Sequence, residues 1–275
     1  MSDHYRGPLD PQSWAYQSWA AKSLTPEIEE EAKASAIRRD MVTLLTYVRD
    51  ERVVGTKSTG NMPLKHIREV TARFVEPPEL DQRIGDHVYP LRTEFEVRPL
   101  YYLHVLAEVG DLLEAPAGRR WHLTPVGEDW LSASPLEQTL QLLLRWWFRV
   151  NWLVVVPFGG LDEFTPPGFE LTTLARLNMI PVGQRIEFES FAERLRKRTG
   201  LKWDVDAPTI TPESRATTLR AAVKLMVIDP AAKFGIVELE EKPLGPGLRP
   251  KLLAFRITPL GRALLSGIQL FAQST

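Results

Sequence analysis

One short pattern occurs twice in the chain, about 130 residues apart, and it constrains the fold more than any other feature. Residues 121–131 read WHLTPVGEDWL and residues 255–265 read FRITPLGRALL. An aromatic residue, an aliphatic residue, Thr-Pro, a second aliphatic residue, Gly and a final Leu occupy the same positions in both. The repeat predicts that two parts of the chain are built on the same structural unit.

The second copy indicates a strand that runs directly into a helix. Residues 253–257 alternate between large apolar side chains and Ala or Arg, which is typical of a strand with one buried face. Thr258 can cap a helix with its hydroxyl, and Pro259 suits the first helical position. Residues 234–240 form the predicted partner strand, and residues 242–247 the loop between the two strands. The sequence therefore predicts a β-hairpin that leads into a helix.

A hairpin followed by Thr, Pro, Gly and a Leu-rich helix resembles the wing and last helix of winged helix-turn-helix modules. Residues 56–67 also resemble a segment of helicase-associated winged-helix domains and of uncharacterised bacterial proteins, in which a Thr-Lys-x-x-Gly-Asn turn leads into a helix. The resemblance implies an α+β, mainly helical fold with two winged-helix-like domains and short β-hairpin wings.

The distribution of Gly and Pro predicts the domain boundaries. Residues 158–168 are rich in both, so the first domain is expected over 36–160, with a long connecting helix, and the second over 166–275. Residues 1–35 form a predicted N-terminal arm, which either packs on the body through its aromatic side chains or serves as a docking peptide. These side chains are Trp14, Tyr16 and Trp19.

Composition excludes several classes of protein. The chain has no cysteine, so disulfides, thiolate metal sites and a catalytic thiol are absent, and a cytoplasmic location is favoured. The N-terminal residues lack the apolar core of a signal peptide. The most apolar stretch, residues 136–158, contains Arg145 and Arg149, so it predicts a buried helix and strand instead of a membrane span.

Motifs for catalysis or cofactor binding are also absent from the sequence. The five histidines are scattered without metal-ligand spacing, and no Rossmann or nucleophile-elbow signature occurs. Residues 55–60, GTKSTG, lack the Gly-Lys-Ser/Thr ending of a phosphate-binding loop. We therefore expect a non-enzymatic protein without a metal or cofactor.

Charge and topology predict a nucleic-acid surface in the second half. Residues 166–275 contain 16 basic and 11 acidic residues, whereas residues 1–165 contain 18 and 24. In winged-helix modules the helix before the hairpin enters the major groove, and here that helix begins at Thr211 and runs to about Ile228. A solvated helix face has a similar composition, so both interpretations stay open. The predicted DNA contacts are Arg215, Thr217, Arg220 and Lys224 on this helix and Arg249, Lys251 and Arg256 on the wing.

Two functions are consistent with these features. The first is a tandem winged-helix protein that binds duplex DNA, in transcription regulation or as an accessory to a DNA-processing complex. The second is a scaffold similar to the tandem winged-helix subunits of chromosome-organising assemblies, binding a protein partner or itself through the first domain and Trp146 and Trp147. In the first domain the helix before the hairpin is expected to expose Tyr101, His104 and Glu108, which favours a protein contact there.

Overall fold

Helices make up most of the chain in a computed structural model that describes residues 14–84, 87–152, 166–202, 211–245 and 250–272. The strands are short and antiparallel, which confirms the predicted α+β, mainly helical class. The chain divides into two compact units. The first unit comprises residues 33–150, and the second comprises residues 1–32 together with 151–275. Most of the predicted linker falls within residues 153–165, outside the described residues.

The described helices and strands are numbered here in chain order. The helices are α1 (Trp14–Ser23), α2 (Pro26–Ala34), α3 (Ala36–Asp50), α4 (Leu64–Thr71), α5 (Arg98–Val109), α6 (Pro125–Ser132), α7 (Pro135–Arg149), α8 (Phe169–Asn178), α9 (Phe188–Thr199), α10 (Pro212–Val223), α11 (Asp229–Lys233) and α12 (Pro259–Ala272). The strands are β1 (Gln82–Ile84), β2 (His87–Tyr89), β3 (Leu113–Glu114), β4 (His122–Leu123), β5 (Ile186–Glu187), β6 (Val237–Lys242) and β7 (Lys251–Ile257). A 3₁₀ turn spans Glu94–Glu96, and a π-helical segment spans Lys224–Ile228.

The first unit is built around α3, against which α5 and α7 pack. The apolar residues of α3 recur at helical spacing, and the stripe that they form is buried. Its members are Ile37, Met41, Leu44, Leu45 and Val48. After α3, the extended segment around Val54 pairs antiparallel with Arg120, just before β4. The unit therefore runs helix, extended segment, helix, helix, hairpin, helix, with the β1–β2 hairpin added between α4 and α5.

The second unit has the same order of elements from α8 to α12. Its three strands form an antiparallel sheet in the order β5-β7-β6, with the second strand of the hairpin in the middle. Phe255 lies at the centre of β7, is fully buried, and meets the Phe191 ring edge-on at a centroid distance of 5.0 Å. The helix α1 packs on α12, where the Trp19 indole donates to the Ala263 carbonyl at 2.9 Å. The N-terminal arm thus contributes a buried tryptophan to this unit.

The two hairpin-to-helix junctions use the same hydrogen bonds. The hydroxyl oxygen of Thr124 accepts from the Gly127 amide at 3.0 Å, and that of Thr258 accepts from the Gly261 amide at 2.8 Å. A methyl group added to either glycine would lie 2.1 Å from the carbonyl oxygen of the residue just before the hairpin. This residue is Leu112 in the first unit and Ile236 in the second. The repeated Thr and Gly are therefore explained by a cap and by a close backbone approach.

The turns that enter the two hairpins also match. Asp111 and Gly235 occupy equivalent positions, with φ of 55° and 77°. Each accepts a hydrogen bond at its carbonyl from the threonine hydroxyl of its own unit. The next amides, of Leu112 and Ile236, each reach back five residues to an alanine carbonyl at 2.8 Å. This is the bonding of a left-handed helix ending, so the repeat extends upstream of the residues in which it is visible.

The helix predicted from Thr211 to Ile228 is interrupted near its end. After Val223 it continues as the π-helical segment, and the Asp229 amide bonds to the Lys224 carbonyl, five residues back. Pro230 follows and has no amide hydrogen to donate to the carbonyl four residues earlier. We attribute the wider turn to this proline, since a π-helical segment accommodates one missing bond of the α-helical ladder.

Candidate nucleic-acid interface

The predicted helix contacts lie on α10 and at its junction with the π-helical segment. Arg215 is partly exposed, and Thr217 is exposed and accepts from the Arg220 guanidinium at 3.3 Å. Another guanidinium nitrogen of Arg220 lies 3.5 Å from the Glu189 carboxylate of α9. The Lys224 ammonium lies 2.7 Å from Asp229. Arg220 and Lys224 thus have carboxylate partners in the unit that carries them.

The predicted hairpin contacts are paired in the same way. The Lys251 ammonium lies 3.0 Å from Glu189, the carboxylate that Arg220 also approaches. The Arg256 guanidinium lies 3.3 Å from Glu240. Arg249 lies outside the described residues. Glu189 therefore joins Arg220 of the helix to Lys251 of the hairpin. We call the set of cations with carboxylate partners the paired face; its members are Arg220, Lys224, Lys251 and Arg256.

Two carboxylates of the paired face, Glu189 and Glu240, have lowered pKa values because of their neighbours. Lys251 lowers the pKa of Glu189, mainly through its hydrogen bond and then through its charge. Arg185 lowers the pKa of Glu240, again mainly through a hydrogen bond, and its guanidinium contacts both carboxylate oxygens at 2.8 Å. Acidic and basic groups alternate on this face, so the field of its cations is largely compensated at short range.

A second set of cations, which the sequence did not single out, lies on the first unit. The segment around Val54 pairs with the chain around Arg120, and the Trp121 amide donates to the Val53 carbonyl at 2.9 Å. Because side chains alternate along extended chain, buried Trp121 faces the core while Val54 and Arg120 share the opposite, exposed side. Arg52 lies on that same side, two residues before Val54.

The turn after this segment adds another cation. The Gly118 amide donates to the Thr56 carbonyl at 3.1 Å, so the neighbouring Lys57 lies against the tip of the hairpin. Lys57 is exposed, and so is Arg119 beside Gly118. We call this set of exposed cations, carried by the segment around Val54 and the tip of the hairpin, the basic ribbon; its members are Arg52, Lys57, Arg119 and Arg120. None of the four forms an ion pair with a residue in the described ranges, which distinguishes the basic ribbon from the paired face.

The net charges of residues 1–165 and 166–275 did not indicate this difference between the basic ribbon and the paired face. The acidic N-terminal residues belong to the second unit, which therefore has 18 basic and 19 acidic residues, while the first unit has 16 of each. Neither unit has a notable net charge. The two sets of cations differ in whether they form ion pairs with described residues. The Arg119-Arg120 pair in a predicted wing turn was the signal in the sequence that could have indicated the basic ribbon.

The prediction that α5 exposes His104 for a protein contact is wrong. This side chain is only 6% exposed, it packs against the Trp121 ring in a tilted arrangement at a centroid distance of 4.4 Å, and its Nδ1 lies 2.6 Å from Glu94. Glu94 is 1% exposed and also accepts from the Met62 amide at 2.6 Å. A buried carboxylate from the preceding 3₁₀ turn therefore draws the histidine inward, which the helical period of α5 alone did not indicate.

The tryptophans predicted to bind a partner are covered. Trp146 and Trp147 are 2% and 4% exposed, and Trp146 packs on Tyr102 at a centroid distance of 4.8 Å. The adjacent Phe148 is 49% exposed. The two indoles thus leave little surface for a partner, and Phe148 is the most accessible member of this aromatic run.

Other kinds of site find no support in the described part of the chain. It contains no group of three or more His, Asp or Glu side chains placed to hold a metal ion. None of its helices combines the length and the apolar character that crossing a bilayer requires. In comparisons with known proteins, no family model, curated protein or solved structure matched this chain.

Proposed function

We propose that the chain is a tandem winged-helix protein that binds duplex DNA in the cytoplasm, in transcription regulation or as an accessory to a DNA-processing complex. The order helix, extended segment, helix, helix, hairpin, helix in both units supports this assignment. In the second unit, the sheet order β5-β7-β6 also agrees with a hairpin that pairs with a short strand placed between the first two helices.

The observation that carries the proposal is the basic ribbon of the first unit. Its four cations are exposed and unpaired among the described residues, so a phosphate group can approach them without displacing a carboxylate. Binding of DNA phosphates by such cations releases condensed counterions, which gives an affinity that falls with salt concentration. We therefore assign the principal phosphate contacts to Arg52, Lys57, Arg119 and Arg120.

The paired face is the second contact surface in this proposal. Exposed ion pairs contribute only about 0–1 kcal/mol each, so DNA can exchange the glutamates for phosphates at a small energetic cost. Arg215, Thr217 and Arg249 belong to the predicted contacts of the same unit. We expect the second unit to contribute less to DNA binding than the basic ribbon does. The reason is that its paired cations must first leave their carboxylate partners.

The test is the salt dependence of binding to a labelled duplex, measured by fluorescence anisotropy. Replacing all four basic-ribbon cations with Ala should remove most of the affinity and reduce the slope of log K against log salt by about 0.9 for each phosphate that the protein no longer neutralises. The double variant Arg220→Ala/Lys224→Ala should have a smaller effect on both quantities. Arg92→Ala, an exposed cation elsewhere in the first unit, is the matched control.

The outcomes separate the two surfaces. Wild-type affinity and slope in the basic-ribbon variant would refute the assignment of the principal contacts to the first unit. A weakening only in the Arg220→Ala/Lys224→Ala variant would place DNA on the second unit instead. Absence of any binding at low salt would refute the DNA function.

A scaffold function is the second candidate, and the compensated charge of the paired face favours it. A surface of alternating acidic and basic groups suits a protein partner of complementary pattern better than a polyanion. Sedimentation showing a stable dimer or hetero-complex, combined with no shift of labelled duplex at low salt, would favour the scaffold over the DNA-binding protein.

A further inference from the structure

A small cleft opens on the second unit where the end of α8 meets β5 and α9. Its floor and walls are mostly apolar and include Ile180, Ile186, Phe191 and Leu195. Met179 lies at its edge and is 72% exposed, the highest value among the large apolar side chains in the described part of the chain. The volume of the cleft is about 110 Å³. Ligand pockets for drug-sized molecules usually measure roughly 300–1,000 Å³, so this cleft suits a single side chain.

The charged side chains that line the cleft are both basic. Arg176 of α8 and Arg194 of α9 line it, and no lining residue carries a carboxylate. Neither arginine forms an ion pair with a residue that the structure describes. On the same helix, by contrast, Arg196 is paired with Glu193 at 2.8 Å and lowers the pKa of that carboxyl to about 2.

A third cation extends this arrangement along α9. Arg198 is exposed, lies one helical turn beyond Arg194, and has no ion-pair partner among the described residues. The cleft therefore presents an apolar recess between arginines whose guanidinium groups are available. Guanidinium groups bind carboxylates in a two-point geometry, and desolvated apolar pockets beside them are the usual anchors of protein contacts.

We propose that this cleft binds an acidic segment of a partner protein, in which one bulky apolar side chain enters the recess and flanking carboxylates bind Arg176 and Arg194. Exposed Met179 adds an adaptable apolar contact at the edge. The apolar floor distinguishes the cleft from a phosphate-binding surface, which presents polar donors. The proposal is independent of DNA binding, since it involves neither the basic ribbon nor the paired face.

The methionines provide a direct readout of the proposed site. The chain has five, and Met41, Met62 and Met226 are buried, whereas Met179 is exposed at the edge of the cleft. Protein labelled with ¹³C at the methionine methyl groups should therefore report binding there by a shift of the Met179 signal, with the three buried signals unchanged.

The probes come from a peptide array bound by the full chain. The central residue of each peptide is varied over Leu, Ile, Phe, Met and Ser, and the flanking residues over Glu, Gln and Lys. We expect selection of peptides that combine an apolar centre with Glu on both sides. The strongest binder is then synthesised and titrated against the labelled protein, with its Gln-flanked and Ser-centred versions as controls.

Charge reversal tests the role of the arginines. Arg176→Glu/Arg194→Glu should weaken binding of the selected peptide by about tenfold or more, because two charge-assisted contacts become repulsive. Met179→Asp, at an exposed position, should also weaken it. Lys242→Glu reverses an exposed cation on the hairpin of the same unit and should leave binding unchanged.

Each alternative result overturns the proposal. It is wrong if the array shows no preference for acidic flanks around an apolar residue. It is also wrong if the selected peptide leaves the Met179 signal in place, or if the arginine variant binds it as the wild type does. Displacement of the peptide by a duplex that itself shifts the Met179 signal would assign the cleft to nucleic acid.

Discussion

The two hairpin-to-helix junctions share their backbone bonds, whereas the surfaces beside them differ in how their charges are arranged. Thr124 and Thr258 make equivalent caps, and Gly127 and Gly261 make equivalent close approaches. Beside the first junction lie cations that form no ion pair with a described residue, and beside the second lies an alternation of cations and glutamates. The repeat thus preserves the residues that the backbone of the junction requires, whereas the exposed side chains beside it differ between the units.

The interiors of the units differ as well. The first unit buries Glu94 and His104 as a contacting pair. Among the described residues of the second unit, the buried polar side chains are only those of Ser23 and Thr173. The first unit thus depends on a specific buried polar contact, whereas the described part of the second unit depends on apolar packing around Phe255.

The largest effect on stability is expected from the glycines that the two junctions share. Gly127→Ala and Gly261→Ala should each destabilise their own unit by about 3 kcal/mol or more, at or above the usual cost of overpacking, because the added methyl group would meet backbone carbonyls. Calorimetric unfolding measures the change, and Ser266→Ala within α12 serves as control. Equal stability of Gly127→Ala and wild type would show that the first junction is not a true equivalent of the second.

A smaller destabilisation should distinguish the interior of the first unit. Glu94→Ala removes the acceptor for the Met62 amide and for His104, and buried donors left unpaired cost about 1–3 kcal/mol each, so we expect roughly 2 kcal/mol, the lower end for two donors. Denaturant unfolding followed by hydrogen exchange of each unit provides the measurement. Exposed Glu79→Ala is the control. A wild-type midpoint for Glu94→Ala would contradict the importance assigned to this contact.

The smallest expected effect is a change in duplex affinity that tests how the paired face differs from the basic ribbon. Glu189→Gln releases Lys251 and Arg220 from their shared carboxylate, so binding of duplex should become tighter by roughly threefold at low salt, the scale of one exposed ion pair. Glu193→Gln on the same helix, whose partners are Arg196 and Lys197, is the control. Unchanged affinity in Glu189→Gln would mean that DNA does not reach the paired face.

The sequence indicated those features that depend on short-range pattern. The repeat around Thr-Pro predicted both hairpin-to-helix junctions, and the structure explains the glycine in it by a close backbone approach. The buried stripe of α3 followed from its spacing. These features are local, because a cap, a turn and an amphipathic helix are each specified by residues a few positions apart.

Features that depend on residues far apart in the sequence could not be predicted from short-range pattern. His104 turned inward because Glu94 was there to receive it, and the cations of the paired face acquired glutamates from other elements. The basic ribbon joins residues near position 52 to residues near position 120, which only the backbone pairing brings together. A site made by tertiary contact has no period or motif from which to read it.

The bond between Trp19 and Ala263 joins residues that are 244 positions apart, and the Glu31 carboxylate likewise receives the Leu260 amide. During synthesis on the ribosome, residues 33–150 can therefore collapse while the partners of α1 have not yet been translated. During that interval the Trp19 side chain lacks the helix on which it packs, and the second unit can complete its packing only after α12 has been translated. Chain-elongation speed and chaperone capture consequently bear on one half of this molecule far more than on the other.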